Sequence, residues 1–238
     1  MAKAVKQHEP EDFFVKLAKG IEKFISEHLK ILIISVAVIV VGLATYFTAD
    51  YMFDRREQSA HSEFGRVYLE YKDILETEEI GEPVDTETVN EKLLNLNEDF
   101  KKVIEAYPKS FAASESAYFI GNTLYRVERY EEAVEYFKKG YSSRSKSSVA
   151  VLCLLSEASC YEQLDDYATA EETYKRIISE FKDSFMVPLA KFNLGQLYEK
   201  QDKYALAEQE YTQIVTQYDW SSWKELAEKR LLIIKSFI

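Results

Sequence analysis

The residues best suited to chemistry are three histidines (His8, His28 and His61), two cysteines (Cys153 and Cys160) and a large set of carboxylates. Proton transfer, nucleophilic attack or metal ligation would need several of these on one shared face. The spacing does not supply such a face. None of the histidines falls between Ser110 and Ile214, and carboxylates such as Glu131, Glu132 and Glu135 recur beside lysines, the pattern of a solvated helix surface. The two cysteines are seven apart in one predicted helix. Their Cα atoms should lie about 10.5 Å apart at 1.5 Å rise per residue, whereas a disulfide needs less than about 7 Å. They read as two buried free thiols that behave as small hydrophobes. The chain has no phosphate-binding loop, no Gly-x-Gly-x-x-Gly and no paired-cysteine motif. The sequence therefore predicts a protein that is not an enzyme, with no catalytic residue, no cofactor and no metal.

The elements that must hold any other kind of site are helices. The 238 residues include only 7 Gly and 4 Pro, and 47% are hydrophobic, which predicts an all-α chain. Aromatic residues recur every 37 residues at Phe100, Phe137, Tyr174 and Tyr211. Ala133, Ala170 and Ala207 keep the same period, as do Tyr130, Tyr167 and Tyr204, and Gly121, Ala158 and Gly195. A fixed period of this size is the mark of a solenoid built from one repeated supersecondary unit. Three units run over 110–140, 147–177 and 184–214, each with two helical stretches split by a short polar turn at 127–129, 164–166 and 201–203. Ser110, Ser147, Ser184 and Ser221 stand where a serine caps the first helix of a unit. A fourth copy lies upstream. Phe100, Val103 and Pro108 mark its second helix, and its first is displaced to about 55–75, where Gly65 and Tyr68 keep the small-then-aromatic spacing. An acidic insertion over 76–88 separates the two, either an exposed solvated loop or a partner site. Residues 221–238 should form a last helix covering the open end of the stack. Its apolar end, LLIIKSFI, reads either as burial against the preceding hairpin or as a surface for oligomer formation or partner docking.

The pattern resembles the tetratricopeptide repeat (TPR) family, on Leu194-Gly195, Tyr198, Tyr204, Ala207 and Tyr211 and on their equivalents Gly121, Tyr130, Ala133 and Phe137, then Tyr161, Tyr167, Ala170 and Tyr174. The period is 37 against a family norm of about 34, which implies longer loops between hairpins. The resemblance implies an α-solenoid of about four hairpins plus a C-terminal capping helix. It also implies that protein or peptide partners bind in the concave groove formed by the first helix of each pair. By register that groove should show Tyr118, Asn122, Tyr125 and Arg126, then Leu155, Ser159 and Glu162, then Phe192, Gln196 and Glu199. Rings set among mixed polar groups suit a peptide segment. Some TPR co-chaperones grip a carboxylate with two asparagines and several basic residues. Asn122 and Asn193 match the asparagines, but Phe192 replaces the lysine.

Upstream of the repeats, Ile31 to Ala49 is free of charge for 19 residues. At 1.5 Å per residue this covers about 28 Å, close to the ~30 Å hydrocarbon core of a bilayer. Tyr46, Phe47, Tyr51 and Phe53 cluster at its far end, as interface aromatics do. A cleaved signal peptide has a shorter apolar run and a short basic leader, whereas this leader is 30 residues long and holds five acids, so the run reads as an uncleaved anchor. Residues 1–30 form a cytoplasmic tail, 31–49 the transmembrane helix and 50–238 the TPR domain. Lys16, Lys19, Lys23 and Lys30 precede the run and Arg55 and Arg56 follow it, which places the N-terminus inside and the repeats outside the inner membrane. Within the tail, Phe14, Leu17, Ile21, Phe24 and Ile25 make an amphipathic helix. It reads either as a segment that lies on the inner leaflet or grips a membrane partner, or as a passive extension of the anchor. Residues 1–50 hold six lysines and six acids, so the whole formal charge of −11 falls on 51–238. That excess disfavours nucleic-acid binding. The order of parts is similar to that of the ancillary subunit of the bacterial Sec translocon, which implies a scaffold linked to periplasmic chaperones. The alternative is a structural subunit of an envelope machine, such as a secretion apparatus or a flagellar collar.

Overall fold

The structure, a computed structural model, describes residues 13–79 and 85–237, and every regular element among them is an α-helix. The helices are α1 (Phe13–Glu79), α2 (Thr86–Ala106), α3 (Phe111–Arg126), α4 (Tyr130–Ser143), α5 (Ser148–Gln163), α6 (Tyr167–Glu180), α7 (Val187–Lys200), α8 (Tyr204–Gln217) and α9 (Trp223–Ile234). The chain divides into two compact units, Met1–Arg55 and Arg56–Ile238. The first unit holds the N-terminal part of α1, whose described large apolar side chains, such as Phe14, Phe24, Ile34, Val41 and Phe47, are exposed. Among the described residues, one helix near the N-terminus is long and apolar enough to cross a membrane. Residues 1–12 of the expected tail lie outside the described residues.

The second unit is an all-α stack of four hairpins, α1–α2, α3–α4, α5–α6 and α7–α8, closed by α9. Its packing follows the aromatic period. Phe100, Phe137, Tyr174 and Tyr211 are fully buried, and burial of each ring stabilises by about 1.5–3 kcal/mol. Each ring of the three regular repeats needs a small residue opposite it on the first helix. A Cβ added at Gly121 would lie 2.5 Å from Cε1 of Phe137, and one at Gly195 would lie 2.6 Å from Cε1 of Tyr211. Ala158 holds the equivalent place in the middle repeat and is itself buried. Gly65 does not play this part. Nothing lies within 4 Å of the position its Cβ would take. The first hairpin is closed instead by a cluster of rings, with Phe64 at 6.0 Å from Phe100 and 5.9 Å from Phe119, and Tyr71 at 5.0 Å from Phe119.

The turn inside each regular hairpin is one repeated backbone device. Glu128, Asp165 and Asp202, each 37 residues apart, adopt positive φ of 59°, 57° and 56°. Around each, the two hydrogen bonds of a Schellman motif close the first helix. The N–H of Arg129 donates to the carbonyl of Leu124 and that of Glu128 to Tyr125, at 2.9 and 3.1 Å, and the same pairs recur at Asp166 to Tyr161 and at Lys203 to Tyr198. The aromatic at the start of α6 and of α8 also holds its turn: the hydroxyl of Tyr167 donates to Asp165 and that of Tyr204 to Asp202.

Local differences from the sequence reading have physical causes. Ser110 and Ser147 cap α3 and α5, accepting from the N–H of Ala113 and Ala150. Ser184 and Ser221 do not cap a helix; each accepts from an N–H two residues on, in the turn that precedes α7 and α9. Pro188 lacks the N–H that would bond the Ser184 carbonyl in a helix beginning at the equivalent residue, so α7 starts late, at Val187. The 76–88 insertion is helical at both ends, because α1 runs to Glu79 and α2 starts at Thr86 behind an Asp85 cap. Residues 80–84 lie outside the described residues. The expected last helix is shorter than 221–238: α9 buries Ala227 and Ile234 against the stack and leaves Leu232, Ile233 and Phe237 exposed.

Two stability changes follow. Gly121→Val drives a side chain into the ring of Phe137 and should lower unfolding stability by about 1–3 kcal/mol, read by urea denaturation of the repeat domain. Glu128→Gly should raise it by about 1 kcal/mol, because glycine adopts positive φ without the Cβ clash.

Candidate partner-binding face

A ladder of charged and phenolic groups runs across the hairpins from α5 to α9. The hydroxyl of Tyr174 on α6 donates to Glu162 Oε1 on α5 at 2.7 Å, and Lys200 Nζ on α7 donates to Glu162 Oε2 at 2.5 Å. One repeat later, the hydroxyl of Tyr211 donates to Glu199 Oε1 at 2.5 Å, and Arg230 on α9 grips both oxygens of Glu199. The ladder has a stereochemical cause. A buried phenol must find an acceptor, and a half-buried carboxylate must find cations. Burial, and then the charge of Glu162 beside Tyr174 and the hydrogen bond to Glu199 at Tyr211, push both phenols far above their ordinary pKa, so they remain donors. The repeat without a phenol supports this reading. Phe137 stands in the place of Tyr174, and Tyr125 replaces the glutamate.

Where the ladder meets α9, the helices leave an open cleft of about 610 Å3 lined by Glu162, Gln196, Glu199, Lys200, Tyr204, Arg230, Ile233 and Phe237. Its charges are held in pairs, Gln196 is exposed, and Phe237 stacks on Tyr204 at 4.9 Å and 14° along its apolar side. Of the residues expected to bind a partner, Glu162, Gln196 and Glu199 come together here. Leu155 and Phe192 do not belong to a binding surface: they are 7% and 6% exposed and lie in the core. The ring of Phe192 packs at 5.5 Å from Tyr211 and 5.1 Å from Trp223. It is covered because α9 occupies the place that a further first helix would take. The remaining expected residues are half-buried or engaged in the fold. Tyr118 packs against Phe137 at 6.1 Å and Tyr125 against Tyr130 at 5.2 Å. Arg126 Nε donates to Asn90 at 2.6 Å, the Ser159 hydroxyl donates to the Leu155 carbonyl, and Asn122 is half-buried. Asn193 is half-buried, next to the core residues Phe192 and Leu194 in the chain. The sequence reading missed Lys200, Arg230, Tyr204 and Phe237. Of these, the 37-residue period could have pointed to Arg230, which stands 37 residues after Asn193.

A second concavity of about 490 Å3 lies between α1 and α3, lined by His61, Phe64, Gly65, Tyr68, Leu69, Glu115 and Phe119. The open space over Gly65 forms part of it. Glu115 Oε2 is enclosed and has no hydrogen-bond partner among the described residues. Burial pushes the Glu115 carboxyl up, with His61 opposing. Cys153 and Cys160 are buried free thiols, each pushed up to about 12 chiefly by burial, which makes them unreactive near neutral pH. Among the described residues, no group of three or more His, Cys, Asp or Glu is placed to hold a metal ion.

A family profile described as tetratricopeptide repeat matches residues 118–185 and again 155–219. Residues 118–219 are tetratricopeptide repeats. No match was found among curated proteins. Among solved structures, a tetratricopeptide repeat protein from Parabacteroides merdae is similar in fold, with a TM-score of 0.53 and 17% identity over 74% of this chain and 61% of that one. This chain thus spans about three-fifths of the length of that protein. TPR stacks are protein-interaction scaffolds and are generally not catalytic, and the paired, half-buried charges of the cleft fit that role.

The raised Glu115 carboxyl sets a pH dependence. A group protonated more readily in the folded state stabilises fully below the unfolded carboxylate pKa, and that stability is lost as pH rises through the folded value. Glu115→Gln should therefore raise the melting temperature at pH 7 and leave it unchanged near pH 4, as measured by differential scanning calorimetry.

Proposed function

We propose that this chain is a membrane-anchored TPR scaffold of the bacterial cell envelope. Residues 31–49 cross the inner membrane, residues 1–30 lie in the cytoplasm, and the repeats of the 50–238 domain hold partner proteins outside it. The anchor is supported by an uncharged run whose large apolar side chains are exposed, since exposure of so much apolar surface to water is unfavourable. The observation that carries the binding role is the cleft at α5, α7 and α9. It combines an exposed amide at Gln196, fixed charge pairs and an apolar wall of Ile233 and Phe237. Such a surface accepts an extended segment through backbone hydrogen bonds and one or two apolar side chains. The order of tail, anchor and repeats fits an ancillary role beside the Sec translocon and periplasmic chaperones.

A photo-crosslinking residue in place of Gln196, in the full chain within native membranes, tests this reading. Adducts should contain translocon subunits or periplasmic chaperones. Adducts containing only secretion-apparatus or motor components would instead favour a structural subunit. If Gln196 captured no protein while the chain stayed in the membrane, the cleft would lose its role.

A further inference from the structure

The N-terminal part of α1 carries a seam of one unbroken spacing. Phe14, Leu17, Ile21, Phe24, His28 and Ile31 are separated by 3, 4, 3, 4 and 3 residues, and Ser35, Val38, Gly42, Thr45 and Ala49 continue the alternation. This is the a/d repeat of a helix-to-helix seam, which two helices follow by wrapping left-handedly around each other. No described side chain covers it: Phe14 is 72% exposed and Phe24 56%.

Three features say what covers it. The first is continuity. α1 is helical without interruption from Phe13 through Ala49. A helix that crosses the bilayer over 31–49 has no hinge at which residues 13–30 could turn to lie along the leaflet, so lipid does not cover the large apolar residues there. The second is charge. With Phe14 as an a position, Lys16, Lys23 and Lys30 fall at c and Lys19 at f. All four lysines face away from the seam, so two identical basic helices can meet without bringing like charges together. The third is residue size. Apart from His28, the seam is bulky and apolar up to Ile31, where water drives burial, and it is mostly small from Ser35 onward, where lipid removes that drive and close backbone approach replaces it. Around Gly42 nothing lies within 4 Å of a Cβ position. Two copies of one single-span protein enter the bilayer at the same depth and in the same direction, so each seam position meets its own counterpart.

We infer that α1 pairs with the α1 of a second copy, parallel and in register, along Phe14–Ala49. This rests on the reading that residues 31–49 cross the membrane. The scaffold would then present two repeat domains from one membrane site, so a partner with two binding segments gains in avidity.

Single cysteines in the full chain, tested by oxidative cross-linking in native membranes, decide the matter. Cys153 and Cys160 are buried and do not compete. Leu17→Cys, Ile21→Cys and Phe24→Cys should give disulfide dimers, and Lys16→Cys, Lys19→Cys and Lys23→Cys should not. Leu17→Glu combined with Ile21→Glu should halve the particle mass in mild detergent without changing the melting of the repeat domain. Equal cross-linking at all six positions, or none at any, overturns the pairing. Alkaline carbonate extraction of the same membranes reports separately on the anchor. A chain retained in the pellet with a flat cross-linking pattern overturns the seam alone. A chain that is extracted overturns the membrane crossing, and with it the continuation of the seam beyond Ile31.

Discussion

A buried ring seated on a residue with no room for a larger side chain is the constraint from which the repeat domain is built. Phe137 on Gly121, Tyr174 on Ala158 and Tyr211 on Gly195 each bring the two helices of a hairpin to close approach. Once the ring is placed, its chemistry sets the next demand. A phenylalanine asks for nothing more. A tyrosine carries its hydroxyl inward with it and must be given an acceptor, which is Glu162 or Glu199. The carboxylate in turn needs cations, and these come from the neighbouring first helix as Lys200 and Arg230. The polar lining of the cleft is thus a consequence of core packing, extended outward one hydrogen bond at a time.

This origin also explains why the charges of the cleft are held in pairs. Its acids are held by bases and its phenols are held as donors. In the proposed binding role, such rigid, paired charges would fix a pattern that a partner segment matches at little ordering cost. The more exposed ion pairs elsewhere, such as Arg129–Glu132, add little to stability or to specificity.

Much of this architecture was legible in the sequence because it arises from local and periodic causes. The 37-residue recurrence of Phe100, Phe137, Tyr174 and Tyr211 located the core, and Ser110 and Ser147 marked true helix starts. Legibility failed where a position's neighbours, rather than its own type, decided its role. Gly65 keeps the spacing of Gly121 but faces open space, because a ring cluster on Phe64 and Phe119 closes that hairpin instead. Ser184 keeps the spacing of Ser147 but caps a turn, because Pro188 removes the bond that would start the helix there. Glu115 gave no signal at all. Its enclosure depends on α1 packing across α3, which no periodicity in α3 reveals.

The sequence by itself determined the all-α class, the hairpin period, the turns and the long uncharged run, since each depends on residues close together in the chain or on a repeat that can be counted. Only the tertiary structure decided which first-helix residues line the cleft and which meet the core. Leu155 and Phe192 stand in the register of the half-buried Tyr118, yet they are buried, Phe192 because α9 lies over it. Glu199 is poised at the cleft because Arg230, 31 residues away, is brought back to it. Burial and ion pairing are properties of what lies across the helix interface, and that is set by the packing of whole hairpins rather than by any stretch of sequence.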